Sequence, residues 1–222
     1  MPDIVSRMFQ KISVPASMTA VSTMLSWAAE EVREDEGKNR GSVVDAIHEI
    51  GYGDDEDAAP WCARAVQAAW RIAGWSTMQR LDPRISRSGS VFYMLHTTFE
   101  RIPSCALRCD YIGTDTSDDV VEAFCERLRP GDALIRYSMK PEFEDVLFES
   151  RRRNQTHKGH TEIVSNIHPD GFVDTVGGNT MSQTDSRDGD GVFIHSRMYN
   201  VREERVVGFV RPVFGPIHSS DE

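Results

Sequence analysis

Three residues of this 222-residue chain have types and settings suited to nucleophilic chemistry: Cys62, His160 and Asn179. Cys62 falls at the expected first turn of an apolar helix. A helix start carries unpaired N–H groups and partial positive charge. Both favour a thiolate over a thiol, and the same N–H groups can hold an oxyanion. The plainer reading is a small buried hydrophobe, as most free cysteines are. His160 lies in Gly159-His160-Thr161-Glu162-Ile163-Val164, at the edge of an expected strand. There it can face a helix packed on the sheet and act as base to a thiol. Seven histidines are present, so a solvated loop histidine is the competing reading. Asn179 follows the next expected strand, in Val176-Gly177-Gly178-Asn179-Thr180. Its amide oxygen can accept from the second ring nitrogen and fix the tautomer. Alone, it would be an asparagine in a glycine-rich turn.

The elements that must position these residues follow from periodicity. Met18, Val21, Met24, Leu25, Ala28, Ala29 and Val32 recur at helical spacing, which predicts a helix over 18–35. Ser42 can cap a second helix through about Ile50. A third, over 61–73, is rich in alanine, preceded by Pro60 and closed by Gly74. So apolar a helix belongs in the core. Helical patterns recur over 91–99 and 117–128. The pattern then changes to short strands at 133–137, 161–167, 171–176, 191–197 and 206–213. Helices first and strands after argue an α+β fold. The polar stretch 140–159 reads as an insertion. Cys at a helix start, His at a strand start and Asn after the next strand is the papain-type order of roles, in which the three meet in space and not in sequence.

Composition narrows the function classes. The formal net charge is -10, opposite to the basic face of a nucleic-acid binder. No apolar run approaches the roughly 20 residues of a membrane span. Residues 1–30 lack the pattern of a secretory signal, so the expectation is a chain made in the cytoplasm and released by other means. The four cysteines, Cys62, Cys105, Cys109 and Cys125, show no zinc-type spacing and read as free thiols.

Several stretches together resemble CHAP domains, the cysteine, histidine-dependent amidohydrolase/peptidases. Pro60-Trp61-Cys62-Ala63-Arg64-Ala65-Val66 is similar to the segment around their nucleophile. Pro130-Gly131-Asp132 resembles the turn into their first core strand, and Gly159–Val164 the segment that holds their base. Gly177-Gly178-Asn179 and Val207-Gly208-Phe209-Val210-Arg211-Pro212 resemble two later stretches, and Lys38-Asn39-Arg40-Gly41 does so more weakly. The resemblance spans about residues 25–213 of a single domain over 1–222. It implies a papain-like fold, a nucleophile-bearing helix packed on an antiparallel sheet. It further implies hydrolysis of amide bonds in peptidoglycan, as an N-acetylmuramoyl-L-alanine amidase or a peptide-bridge endopeptidase, with no cofactor. Many such domains are phage lysins or virion-associated hydrolases, so this chain would reach the wall after release, or within a phage particle or secretion system.

There are departures from the pattern. Glu162 stands where glycine is usual, and strand alternation puts it on His160's face. Gly177 replaces a frequent glutamate, which leaves the third role to Asn179. Ala65 replaces a phenylalanine. Trp61 is a candidate for the border of a substrate groove, although aromatics default to core packing, as Trp75 also does. The Asp54–Asp57 run reads as a solvated acidic loop in preference to a calcium site. Arg151-Arg152-Arg153 reads as an exposed face of the insertion, and His157 as a bystander. Two other functions fit the same residues: a papain-like protease or amidase acting on a non-wall substrate, and a catalytically idle binding module that keeps the fold.

Overall fold

The fold was analysed in a computed structural model, which describes residues 15–35, 38–53, 60–85, 88–112, 116–137, 159–180, 191–202 and 205–216. The Asp54–Asp57 run, the arginines at 151–153, His157 and all of the 140–159 stretch except Gly159 lie outside them. The chain is mixed α and β with antiparallel sheets. Its helices are α1 (Ala16–Ala29), α2 (Ser42–Tyr52), α3 (Cys62–Ser76), α4 (Val91–Arg101) and α5 (Asp118–Arg127). Its strands are β1 (Gln79–Leu81), β2 (Ala106–Ile112), β3 (Ala133–Tyr137), β4 (Gly159–Ile167), β5 (Phe172–Thr180), β6 (Gly191–Asn200), β7 (Val206–Val210) and β8 (Phe214–Pro216). A six-stranded sheet runs β2-β7-β3-β4-β5-β6, and β1 pairs with β8 in a separate ribbon.

The sheet separates two apolar layers because successive side chains of a strand point to opposite faces. Ala133, Ile135, Ile163 and Val176 pack with α1, α3 and α4 on one face. Leu134, Val164, Val173 and Phe209 pack with Val121 and Phe124 of α5 on the other. The alanines of α3 let it sit close to the strands. Ala63, Ala65, Ala68, Ala69, Trp70 and Ala73 are all fully buried. Trp70 donates its indole N–H to the Gly131 carbonyl at 3.1 Å. Asp132, the next residue, accepts from the Arg129 N–H at 2.8 Å and from Arg211 Nε and Nη2 at 2.9 and 2.7 Å. The Pro-Gly-Asp turn thus ties α3, β3 and the segment after β7 together.

Three expectations needed adjustment. The first helix ends at Ala29 and not near residue 35. Glu31 turns with φ 53, and Arg33 bridges to Gly191 of β6, a tertiary pairing that overrides the helix propensity of the glutamates. The last sheet strand stops at Val210, before Pro212, which cannot donate to a ladder. Between residues 76 and 130, β1 and β2 join the two anticipated helices.

Candidate active site

Cys62 is the first residue of α3, 3% exposed, and His160 is the second of β4, 1% exposed. Ladder geometry explains how a helix residue reaches a strand residue. Residues Gly159–Ile163 pair with β3, but β4 meets β5 only from Ile163↔Val176 onward. Beyond that point β5 continues along β6. The Thr161 N–H is therefore available, and the Cys62 sulfur accepts from it and from the Ala63 N–H of its own helix. The sulfur and the His160 ring are close enough that each shifts the titration of the other.

One ring nitrogen meets Glu162. His160 Nε2 lies 2.9 Å from Glu162 Oε1, while the buried Nδ1 makes no hydrogen bond of ordinary geometry. The carboxylate of Glu162 thus occupies the ring position in which the amide of Asn179 was expected. Asn179 is fully buried at a bulge of β5, with φ 57, between the pairs Gly178↔Val192 and Thr180↔Gly191. Glu162 lies two residues along from His160 on the same strand and face, where its carboxylate meets the imidazole.

Glu162 is itself fully buried and surrounded by donors. Tyr199 Oη donates to Oε1 at 3.1 Å, and His195 Nδ1 to Oε2 at 2.9 Å. Thr175 Oγ1 donates to Oε2, and Arg136 Nη2 stands 3.5 Å from Oε1. Gly177 makes room for this carboxylate, since a Cβ there would fall 2.4 Å from Glu162 Cγ.

The electrostatics follow from burial and these bonds. Burial alone would push the Glu162 carboxyl up, but the hydrogen bonds and charges of His160 and His195 hold it well below the usual carboxylate range. Burial works against an imidazolium at His160, yet the bonds to Cys62 and Glu162 and their charges raise it to about 9. Burial opposes a thiolate at Cys62, and the bond and charge of His160 with the two backbone N–H groups outweigh it, so the thiol lies below its ordinary value. These directions favour an ionised Cys62 beside a protonated His160, with the Glu162 carboxylate behind the ring.

Trp61 is not at a groove. It is fully buried, and its Nε1 donates to Glu34 Oε2 at 2.9 Å. Gly178 presses on its ring: a Cβ at 178 would lie 2.5 Å from Trp61 Cζ3 and 2.8 Å from Ala65 Cβ. That contact also explains Ala65, since a phenylalanine there would collide with β5. Trp75 is half exposed at the far end of α3. Among the described residues no group of three or more His, Cys, Asp or Glu gathers as a metal site, and no helix is long and apolar enough to cross a membrane.

Thr175, His195, Tyr199 and Arg136 surround the Glu162 carboxylate, and nothing in their spacing along the sequence marks them as a group. No family model, curated protein or solved structure matches the chain.

Proposed function

We propose that the chain is a cysteine amidohydrolase or peptidase of papain-like architecture, with Cys62 as nucleophile, His160 as acid and base, and Glu162 as the residue that orients the ring. The observation that supports this reading is the buried juxtaposition of Cys62, His160 and Glu162, with His160 Nε2 2.9 Å from the Glu162 carboxylate. The Cys62 thiolate attacks the amide carbonyl, forming a C–S bond while the oxygen takes the displaced electron pair. The backbone N–H of Cys62, at the start of α3, serves as part of the oxyanion hole. The imidazolium gives its proton to the nitrogen as the C–N bond breaks. Water, deprotonated by His160, then hydrolyses the thioester and restores the pair.

The substrate class rests on the ordered likeness to CHAP domains. It points to amide bonds of peptidoglycan, at the sugar–peptide junction or within peptide bridges. The test is incubation of the protein and its Cys62→Ala variant with isolated sacculi, followed by mass spectrometry of the soluble products. Cys62-dependent release supports the proposal, and fragment masses tell an amidase from an endopeptidase. No release by a folded protein whose Cys62 is reactive moves the substrate to another amide. A Cys62 inert to thiol reagents leaves a non-catalytic binding role.

A further inference from the structure

Arg136 is not used by the mechanism above, yet it is built into the same site. It is 2% exposed on β3 and in register with His160 of β4. Its guanidinium lies over the Tyr199 ring, 3.6 Å from Cζ to the centroid. Its Nη2 is 3.5 Å from Glu162 Oε1, the oxygen that also faces His160. A guanidinium stays charged at all working pH values, and a buried one needs a counter-charge.

The Glu162 carboxylate is shared by His160, His195 and Arg136, of which only the guanidinium keeps its charge at every working pH. Without Arg136, more of the charge of Glu162 would act on its neighbours, binding the His160 proton more tightly and resisting a second anion at Cys62.

We propose that Arg136 is a positioning residue that acts through Glu162: it partly neutralises the carboxylate and so sets the pH range over which the Cys62–His160 pair is charged. This rests on the assignment of Cys62 and His160 as nucleophile and base. Among the described residues, the groups facing the pair are Arg136 from β3, Glu162 from β4, and His195 and Tyr199 from β6. Thr175 of β5 does not titrate. The nearest atoms of α4 to Gly159 are those of the apolar Val91 and Phe92. Tyr137, next along β3, packs against Phe92 with ring centroids 5.6 Å apart.

The sign distinguishes this role from a packing role. Glu162→Gln removes a negative charge, so His160 releases its proton at lower pH and the Cys62 thiolate forms at lower pH. Arg136→Met removes a positive charge and keeps the aliphatic stem, so both transitions move to higher pH. Loosening of the site would move the two variants the same way.

The experiment follows the His160 ring by NMR across pH, assigned through its loss in His160→Gln, and the alkylation rate of Cys62 by iodoacetamide, read on its own peptide. The expected displacement is about one pH unit in each variant, in opposite directions. The Arg136→Met/Glu162→Gln double variant should lie between them. Unmoved or downward transitions in folded Arg136→Met, with Glu162→Gln displaced, overturn the proposal. If Arg136→Met does not fold, Arg136→Gln carries the same expectation and the same refutation. Failure of the underlying reading looks different: the wild-type Cys62 would then show the pH dependence of an ordinary thiol.

Discussion

Gly177→Ala adds one methyl group where the structure has no room for it. The new Cβ would lie 2.4 Å from Glu162 Cγ, 2.8 Å from Cδ and 3.1 Å from Oε1, whereas ordinary contact begins at 3.4 Å. The backbone of Gly177 needs no left-handed conformation, so the clash itself is the perturbation. Clearing it displaces the Glu162 side chain by about 1 Å, the difference between 3.4 and 2.4. A shift of that size breaks the 2.9 Å contact to His160 Nε2. A hydrogen bond to a charged group contributes about 1.5–3 kcal/mol, so His160 should release its proton roughly one to two pH units lower, and the pH profile of Cys62 alkylation should move down with it. Overpacking separately lowers stability by about 1–3 kcal/mol. The assays are Cys62 alkylation, the NMR titration of His160, and thermal unfolding to show that the variant is folded. A folded Gly177→Ala protein with wild-type reactivity and an unmoved His160 would show that Glu162 does not hold the ring.

Other outcomes follow from the same geometry. Cys62 reactivity should persist into alkaline solution and change as pH passes about 9, where the His160 imidazolium is lost. The stability His160 lends is complete below its ordinary value and disappears as pH rises through about 9, so denaturant midpoints at pH 7 and pH 10 check it. Arg211→Met leaves Asp132, 1% exposed, without its paired guanidinium. It should cost roughly 3 kcal/mol in urea unfolding, and Asp132→Asn in the same chain should recover part of that. Trp61→Phe removes the bond to Glu34 and should cost about 1–2 kcal/mol, with KM unchanged because the ring touches no groove. Burial, and less strongly the Arg64 guanidinium, push the His48 imidazole below its ordinary value, against the opposing pull of its bond to the Asn39 carbonyl. Its folded value is depressed, so its contribution is present above the ordinary imidazole value and lost as pH falls below it. His48→Leu should flatten that acid-side loss in a pH series of unfolding midpoints.

The elements that carry chemistry were legible because local rules agree with the fold there. Pro60 ahead of an alanine-rich run marks the start of α3 to within a residue, and β-branched runs mark β3 to β7. Strand alternation also placed Glu162 beside His160. The orienting role was assigned to Asn179 because spacing along a sequence does not reveal which carboxylate a ring nitrogen meets. That depends on β4 and β5 parting at Ile163 and Val176, a property of the ladder. The polar shell was hidden for the same reason. Thr175, His195 and Tyr199 look like solvent-facing strand positions until α5 and the chain around Val201 and Val206 cover that face of the sheet. Strand β2 was missed because Ala106–Ile112 mixes charged and apolar residues and is recognisable only by its pairing with β7.

The position of β7 governs when a reactive thiol can exist. Its residues, Val206–Val210, come after every other strand of the large sheet, yet it lies between β2 and β3. A growing chain exposes Cys62 long before it has made the strand that joins the two parts of that sheet. Until then β3, which carries Arg136 and aligns His160, is a bare edge, and β2 with the helix before it is unattached. Pairings so distant in sequence also slow folding. Completion of the large sheet is thereby tied to its last strand in sequence: a chain that ends before β7 should carry Cys62 with the reactivity of an ordinary cysteine.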